Sequence, residues 1–541
     1  MNSFQITIDG QRVEVQPGQS VLEAARQIGL DIPTLCHLEK CGPLNTCMVC
    51  LVKVVVNGQG RLVPACATKA VAGMVIECES DEVHQARRTA LELLFSDHVG
   101  DCLSPCHRLC PLELNIPVMI RQIEAGRLEE ANRTVRDALP LAAVLGRLCH
   151  HPCEQGCRRG NWDSPAAIRD MERFVTDQFP RSLDSSQPLC LPPSGRGVVI
   201  VGAGPAGLAA AYQLARKGYH VTVVDRRSRA GGTLRDLPET ELPASVLDAE
   251  IDVLAGMGIE FKSGIELGRQ VTLEGLMRGF EVILLTVGEL AEGEGETLGL
   301  PLAGAGLRAD PNTCQTIKPN VFAAGAAVKP VKQLVRAMSE GRAAAECMHR
   351  FLAGQPVRRP EKAFSSVIGR LAPGELREFL RNAAPSGRVS ACDRCAGLTR
   401  QEAATEASRC LHCDCTSSGQ CALQHYARVY GADAGRFKAE RRQFEQQHQP
   451  GGVIFELGKC ILCGICVRLT ELAREPLGLA FIGRGFGVRI AAPFHHQINE
   501  GFRGVAEECV KHCPTGALAF SDKAQPAGNG LIDCGWRQGE V

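Results

Sequence analysis

Three observations predict a multi-domain chain of mixed α/β and α+β class. It has 541 residues, where an average domain takes roughly 150. Its 27 cysteines fall mostly into tight groups toward both ends. One strand, glycine loop, helix and strand follow each other in residues 197–225. These features divide the sequence into segments 1–80, 81–190, 195–353, 354–390, 391–445, 450–525 and a tail, 526–541.

Bulk properties exclude several classes. The formal net charge is +0, which gives no electrostatic case for nucleic acid or an anionic membrane surface. The opening MNSFQITIDG has no basic n-region followed by an apolar stretch, so no secretory signal is expected. No apolar run reaches the roughly 18 residues of a membrane span. A cytoplasmic protein with reduced thiols is expected, and cysteine at this density then points to metal. Thiolates are soft donors that suit iron–sulfur iron, and ligands two or three residues apart converge on one cluster.

In segment 1–80, residues 4–8 and 12–15 alternate around Asp9-Gly10, which predicts a hairpin. Ser20 with Glu23 predicts a capping box and a short helix ending near Gly29. Cys36, Cys47, Cys50 and Cys66 follow with spacing C-x10-C-x2-C-x15-C. Zinc favours paired short-spaced motifs, which this is not. The stretch from Pro33 to Cys66, with CMVCLVKV at its centre, resembles the β-grasp 2Fe–2S ferredoxin domain of the large iron–sulfur subunit of respiratory complex I and related hydrogenases and formate dehydrogenases. Cys41 and Cys78 read as bystanders.

Segment 81–190 has helical periodicity between two cysteine triplets, Cys102, Cys106, Cys110 and Cys149, Cys153, Cys157. SDHVGDCLSPCHRLCP and GRLCHHPCEQGCRRG resemble the helical iron–sulfur domain of the glutamate synthase small subunit, also found in dihydropyrimidine dehydrogenase. That resemblance implies two 4Fe–4S clusters, one on Cys102, Cys106 and Cys157 and one on Cys110, Cys149 and Cys153. His98 stands where the family usually has a further cysteine, and Glu172 matches a non-cysteine ligand. SDHVGDC also resembles the start of the His-plus-three-Cys motif of the complex I subunit, and both readings make His98 and Cys102 ligands.

Segment 195–353 carries GVVIV, then Gly202, Gly204, Pro205 and Gly207 in GAGPAG, a helix over Leu208–Lys217, and HVTVVD ending at Asp225 beside Arg226. Such glycines let a pyrophosphate approach the helix N-terminus, and the terminal acid binds ribose hydroxyls. RAGGTLR with Gly232, VILLTVG, and PNVFAAG with Gly325 resemble later FAD-binding segments of the glutamate synthase family, which favours FAD. That family inserts a second glycine-rich unit for NADPH between segments like the last two. Here about thirty residues separate them, roughly the length of a bare βαβ unit. The NADPH unit is therefore expected to be missing. Ala326 replaces the Asp that usually follows AAG.

Segment 354–390 reads as a linker or packing arm. Next come Cys410, Cys413, Cys415 and Cys421 in RCLHCDCTSSGQCALQ, whose ending resembles the second half of the His/Cys cluster motif of the complex I subunit. These four cysteines are read as one 4Fe–4S site, with His412 a competing ligand. Cys392 and Cys395 form a C-x2-C without evident partners. Cys460, Cys463 and Cys466 with the distant Cys513 before Pro514 have single-cluster 4Fe–4S spacing. Thr470, Arg503 and Ala506 occupy positions where a second cluster would need cysteines. Cys509, Cys190, Cys314, Cys347 and Cys534 are left over and read as free thiols.

Together these readings imply one 2Fe–2S cluster, about four 4Fe–4S clusters and FAD. No acid–base pair or nucleophile stands out. The resemblances imply an electron-transfer subunit of a multi-subunit oxidoreductase. Its partners would be an NADH/FMN-binding flavoprotein, a thioredoxin-like 2Fe–2S subunit and a terminal dehydrogenase or reductase of formate dehydrogenase or hydrogenase type. A self-sufficient NAD(P)H oxidoreductase or glutamate-synthase-like small subunit, and a non-enzymatic redox sensor or scaffold, are the alternatives.

Overall fold

The computed structural model describes residues 3–56, 58–179, 190–290, 295, 298–381, 383–391, 396–417, 419–449 and 452–521. Cys392, Cys395 and Cys534 lie outside them. The chain divides into two compact units. One comprises Met1–Leu103, Ala363–Arg381 and Cys413–Val541, the other Ser104–Lys362 and Asn382–His412.

The first unit opens with the expected hairpin, β1 (Phe4–Ile8) paired antiparallel to β2 (Gln11–Val15), with Asp9 and Gly10 at positive φ in the turn. Helix α1 (Val21–Gln27) starts at Ser20, whose hydroxyl accepts from Glu23 N–H while the Glu23 carboxylate accepts from Ser20 N–H. Strands β3 (Leu51–Val56), β4 (Gln59–Pro64) and β5 (Val75–Glu77) complete a sheet of order β2-β1-β5-β3-β4, in which only β1 and β5 run parallel. Its alternate residues Ile6, Ile8, Val13, Val15, Val52 and Ile76 are buried under α1. Helix α2 (Asp81–Leu94) follows. Its Arg87, wholly buried, donates to Leu51 O at 3.0 Å and Tyr430 Oη at 2.8 Å, so the C-terminal part of this unit folds onto the N-terminal part.

The stretch 363–381, read as linker or arm, packs in the first unit. Glu375 accepts two bonds from Arg441 at 2.6 and 2.8 Å and the N–H of Phe444 at 2.6 Å. Burial alone would raise its carboxyl pKa; Arg441 and the backbone donors outweigh that and hold it down to about 2. A depressed pKa contributes stability above the unfolded value of 4.5, which is lost as pH falls from there toward 2. Glu375→Gln is therefore expected to lower stability at pH 7 by about 1–3 kcal/mol, because Arg441 and the backbone donors lose a charged acceptor. Urea unfolding at pH 7 and pH 4 checks this, the difference from the parent being smaller at pH 4.

The second unit holds a parallel sheet. β6 (Gly197–Val201), β7 (His220–Asp225), β8 (Glu260–Ser263), β9 (Val282–Leu285) and β10 (Val321–Ala323) lie in the order β8-β7-β6-β9-β10. The four residues of β9 are all buried, as a central parallel strand requires. Helix α3 (Pro205–Arg216) starts three residues before the expected Leu208, because Pro205 sits in its first turn. It packs on α4 (Leu334–Leu352) at Gly341, where a Cβ would come within 2.0 Å of Ala206 O. β9 pairs directly with β10. Among the described residues only the small hairpin Leu302–Ala303/Gly306–Leu307 lies between them, and no second all-parallel sheet occurs. Short helices between residues 105 and 178, including Ile116–Glu124, Leu128–Ala138, Ala142–Leu148 and Ile168–Gln178, form the rest of this unit's core.

Candidate functional site: thiol groups and a nucleotide cleft

In the N-terminal domain the structure brings Cys36, Cys47, Cys50 and Cys66 together. All are buried free thiols, the Cys36 sulfur accepts a hydrogen bond from Cys47 and the Cys50 sulfur one from Cys66, and Cys66 feels the charge of the other three. Cys36 is held down to about 5 by its bonds to Cys47 and by the N–H of Thr46, which donates to its Sγ at 3.4 Å. Cys41, in one apolar cluster with Cys36 and Cys47, and Cys78, in another with Cys50 and Cys66, are buried as well.

In the C-terminal part of the first unit, Cys460, Cys463, Cys466 and Cys513 line one small cavity, walled by Phe455, Ile465, Ile490 and Leu518. Burial pushes Cys463 and Cys466 well above the ordinary thiol range and Cys460 up to about 12. Thiolates in so apolar a cavity call for a cationic partner, the condition an iron–sulfur core meets. Cys509, read as a bystander, lines the same cavity.

A second cavity of this unit holds His98, Cys102, Cys415 and Cys421. Cys102 O accepts Cys415 N–H at 3.4 Å, Ser366 N–H donates to Cys102 Sγ at 3.4 Å, and Gln424 N–H to Cys421 Sγ at 3.4 Å. Burial, with Lys459 and Lys438 nearby, pushes His98 down to about 3, leaving a neutral imidazole able to ligate metal. Gly516 closes this cavity: a Cβ there would lie 2.4 Å from Cys415 Sγ.

These groupings correct two sequence expectations. Cys102 faces Cys415 and Cys421, whereas Cys106 and Cys157 belong to the second unit. The reason is local. A helix, Pro105–Leu109, begins at Ser104, whose Oγ accepts His107 N–H at 3.3 Å, so the spacing from Cys102 to Cys106 is not a helical repeat. The run Cys410, Cys413, Cys415, Cys421 is likewise divided. Cys410 packs in the second unit's core, where Cys157 feels its charge. Cys413 is half-buried and is not on the cavity wall with Cys415 and Cys421.

Cys110, Cys149, Cys153 and Glu172 line one cavity of the second unit. Burial and the neighbouring Glu154 push Glu172 up to about 8, so it is no exposed helix-face acid. Cys106 lies on Pro105–Leu109, which packs on the short helix Pro152–Gln155 carrying Cys153.

One turn recurs at three of these groups. His151, His412 and Leu462 each stand two residues after a cysteine, at φ 46°, 45° and 56°. Each turns its N–H onto that sulfur, at 3.4 Å for Cys149 and 3.5 Å for Cys410. Non-glycine residues adopt such conformations uncommonly. His412 therefore occupies a turn position; its imidazole lies beside Cys410 and 3.5 Å from Glu124.

The second unit also contains a cleft of about 1040 Å³ at the ends of β6, β7 and β9. Gly202, Gly204, Pro205, Asp225, Arg226 and Gly232 are among the residues that line it. Gly204 has open space where a Cβ would be, which leaves its backbone free to meet a pyrophosphate. Gly207 and Gly325 do not line the cleft; they serve close packing, a Cβ at Gly207 lying 1.9 Å from Gly202 O and one at Gly325 2.9 Å from Ala206 Cβ. Asp225 accepts the N–H groups of Ala203 at 2.6 Å and Arg227 at 2.7 Å. Ala326, Lys332, Gln333 and His150 also line it. No sequence signal marked His150, because it reaches the cleft from the helical iron–sulfur segment. The cleft's volume and glycine turn fit a dinucleotide such as FAD.

Three family models match the chain: a 2Fe–2S iron–sulfur cluster binding domain over residues 2–81, dihydropyrimidine dehydrogenase domain II with its 4Fe–4S cluster over residues 80–183, and pyridine nucleotide-disulphide oxidoreductase over residues 160–341. The chain is thus a multi-domain α/β protein with 2Fe–2S, 4Fe–4S and Rossmann-like oxidoreductase domains. It is 38% identical over 207 residues to the beta subunit of NADP(+)-dependent formate dehydrogenase of Moorella thermoacetica, covering 34% of this chain and 29% of that one. It is 35% identical over 190 residues to the beta subunit of NADPH-Fe(3+) oxidoreductase of Geobacter sulfurreducens, covering 34% and 28%. To the PreT subunit of NAD-dependent dihydropyrimidine dehydrogenase of Escherichia coli K12 it is 38% identical over 218 residues, covering 39% and 51%. The chain spans about half the length of these relatives or less. No helix among the described residues is long and apolar enough to cross a membrane.

Proposed function

We propose that this chain is an iron–sulfur flavoprotein that relays electrons inside a cytoplasmic multi-subunit oxidoreductase. One observation carries the reading. Leu148 and His150 line the nucleotide cleft, while Cys149 between them lines the cavity with Cys110, Cys153 and Glu172. A two-electron cofactor and a one-electron centre would then be neighbours through three consecutive residues. The first unit supports the same reading: Lys459 lines one thiol cavity and Cys460 the next, and Pro514 O accepts Leu423 N–H at 3.2 Å.

The three thiol cavities support three of the cluster sites, and the neighbouring thiols of the other two groups support the rest. Cys36, Cys47, Cys50 and Cys66 would hold 2Fe–2S. The 4Fe–4S sites would be Cys460, Cys463, Cys466 and Cys513; His98, Cys102, Cys415 and Cys421; Cys110, Cys149, Cys153 and Glu172; and one on Cys106, Cys157 and Cys410. FAD in the cleft would supply exchange between paired and single electrons. Gly204 and the start of α3 would hold its pyrophosphate and Asp225 its ribose. The partners would be an NADH/FMN-binding flavoprotein, a thioredoxin-like 2Fe–2S subunit and a terminal dehydrogenase or reductase of formate dehydrogenase or hydrogenase type.

The test uses the full chain prepared anaerobically. Iron and sulfide should match one 2Fe–2S and four 4Fe–4S clusters, and dithionite should bleach it. NADH and NADPH alone should leave it oxidised in stopped flow. Rapid bleaching by either nucleotide alone would replace the relay with a self-sufficient oxidoreductase. Iron enough for only one cluster would remove both readings.

A further inference from the structure

Lys459 directly precedes Cys460, yet its side chain lines the other cavity of the first unit, with His98, Cys102, Cys415 and Cys421. It is 3% exposed. Lysine is almost never buried this far without a partner. The partner is Glu456, whose carboxylate accepts from the ammonium. The aliphatic stem rests on Gly100, where a Cβ would come within 2.8 Å of Cε. Glu456 is held from its other side, Gln446 Nε2 donating to Oε1 at 2.9 Å. Thr515 Oγ1 fixes the backbone, donating to Lys459 O at 2.9 Å.

The pair is oriented. Lys459 is on the cavity wall and Glu456 is not. Its positive end therefore faces the thiols. One further acid, Asp101, lines this cavity, and it accepts the N–H of Ile368 at 3.3 Å. Lys438 also stands near Asp101 and Cys102. Buried ion pairs add little stability over apolar residues of the same volume. A pair at a thiol cavity with its cation inward has an electrostatic task instead.

We infer that Lys459 is a positioning residue whose fixed charge raises the reduction potential of the cluster held by His98, Cys102, Cys415 and Cys421, an inference that rests on the cluster reading above. One-electron reduction adds one negative charge to that site, the electron coming from a neighbouring cluster in the chain or from dithionite in a titration. A buried cation favours the reduced form, and nearby charge is among the factors that set cluster potentials.

The experiment is an EPR-monitored redox titration of the anaerobic full chain. The signal of interest is the one His98→Ala removes. Lys459→Met should lower its midpoint by about 59 mV, a tenfold change in a one-electron equilibrium. Glu456→Gln should raise it, because the cation then lacks its counter-charge. Lys459→Arg should stay at the parent value, and the 2Fe–2S signal should not move in any variant. A loose or misfolded site would not shift in opposite directions for the two partners. Midpoints that stay put, or move the same way in both variants, overturn the inference while the cluster stands. If Lys459→Met fails to assemble the cluster, Glu456→Gln decides, and a midpoint that does not rise overturns the inference. Absence from the parent of any signal that His98→Ala removes sinks the cluster reading itself, and Lys459 with it.

Discussion

Cys102→Ala is expected to remove the same EPR signal as His98→Ala and Cys415→Ala, and to leave the signal that Cys106→Ala removes. Each loss should cost about four irons per chain, one cluster's worth. The expectation comes from the cavity that gathers His98, Cys102, Cys415 and Cys421. It opposes the grouping that the resemblance to the glutamate synthase small subunit implies, in which Cys102 joins Cys106 and Cys157. The two schemes differ in an unambiguous observable, the set of single variants that share one lost signal. Cys421→Ala belongs to the first set, because Gln424 N–H donates to its sulfur within the same loop that carries Cys415. Gly516→Ala should follow that set too. Its methyl would sit 2.4 Å from Cys415 Sγ, a distance that backbone or sulfur must move to relieve. If Cys102→Ala and Cys106→Ala extinguish one common signal, the cavity does not describe the cluster.

Local rules carried much of the fold. The Asp9-Gly10 turn, the Ser20–Glu23 capping box and the strand at residues 197–201 depend on neighbours within a few positions, and each forms where the sequence placed it. The cleft was legible for the same reason, since a glycine turn between a strand and a helix is a local object. The iron–sulfur groupings were not. The thiols and imidazole that line one cavity come from residues 98–102 and 415–421, and no periodicity links segments that distant. Cys410 and Cys415 look like one motif in sequence but pack in different units. His412 looked like a competing ligand because it sits where the complex I subunit's motif would place a cysteine. Its backbone at φ 45° shows the other reason for a residue there, which is to turn an N–H onto Cys410. Lys459 gave no signal at all: a lysine before a cysteine reads as solvated until its burial is known.

Arg409→Met is expected to destabilise the second unit by about 3–5 kcal/mol, the cost of leaving a buried charge without its partner. Arg409 and Glu406 are both 0% exposed and 2.6 Å apart. Arg409 also donates to Asp163 at 3.1 Å, Ser164 O at 3.0 Å and Ser386 O at 2.9 Å. Glu406 accepts the N–H groups of Ala167 at 2.8 Å and Val389 at 2.7 Å. Arg159, wholly buried as well, donates to Arg409 O at 3.2 Å and to Asp163 at 2.7 Å. The network ties the segment carrying Cys410 to the loop after Cys157, so its loss loosens two thiols together. Urea unfolding should show the stability change, and iron should fall alongside it. Glu406→Leu with Arg409→Met should cost less than the sum of the single changes, because neither charge is then stranded. Additive costs, or an Arg409→Met chain as stable as the parent, would show that these side chains reach water that the fold denies them.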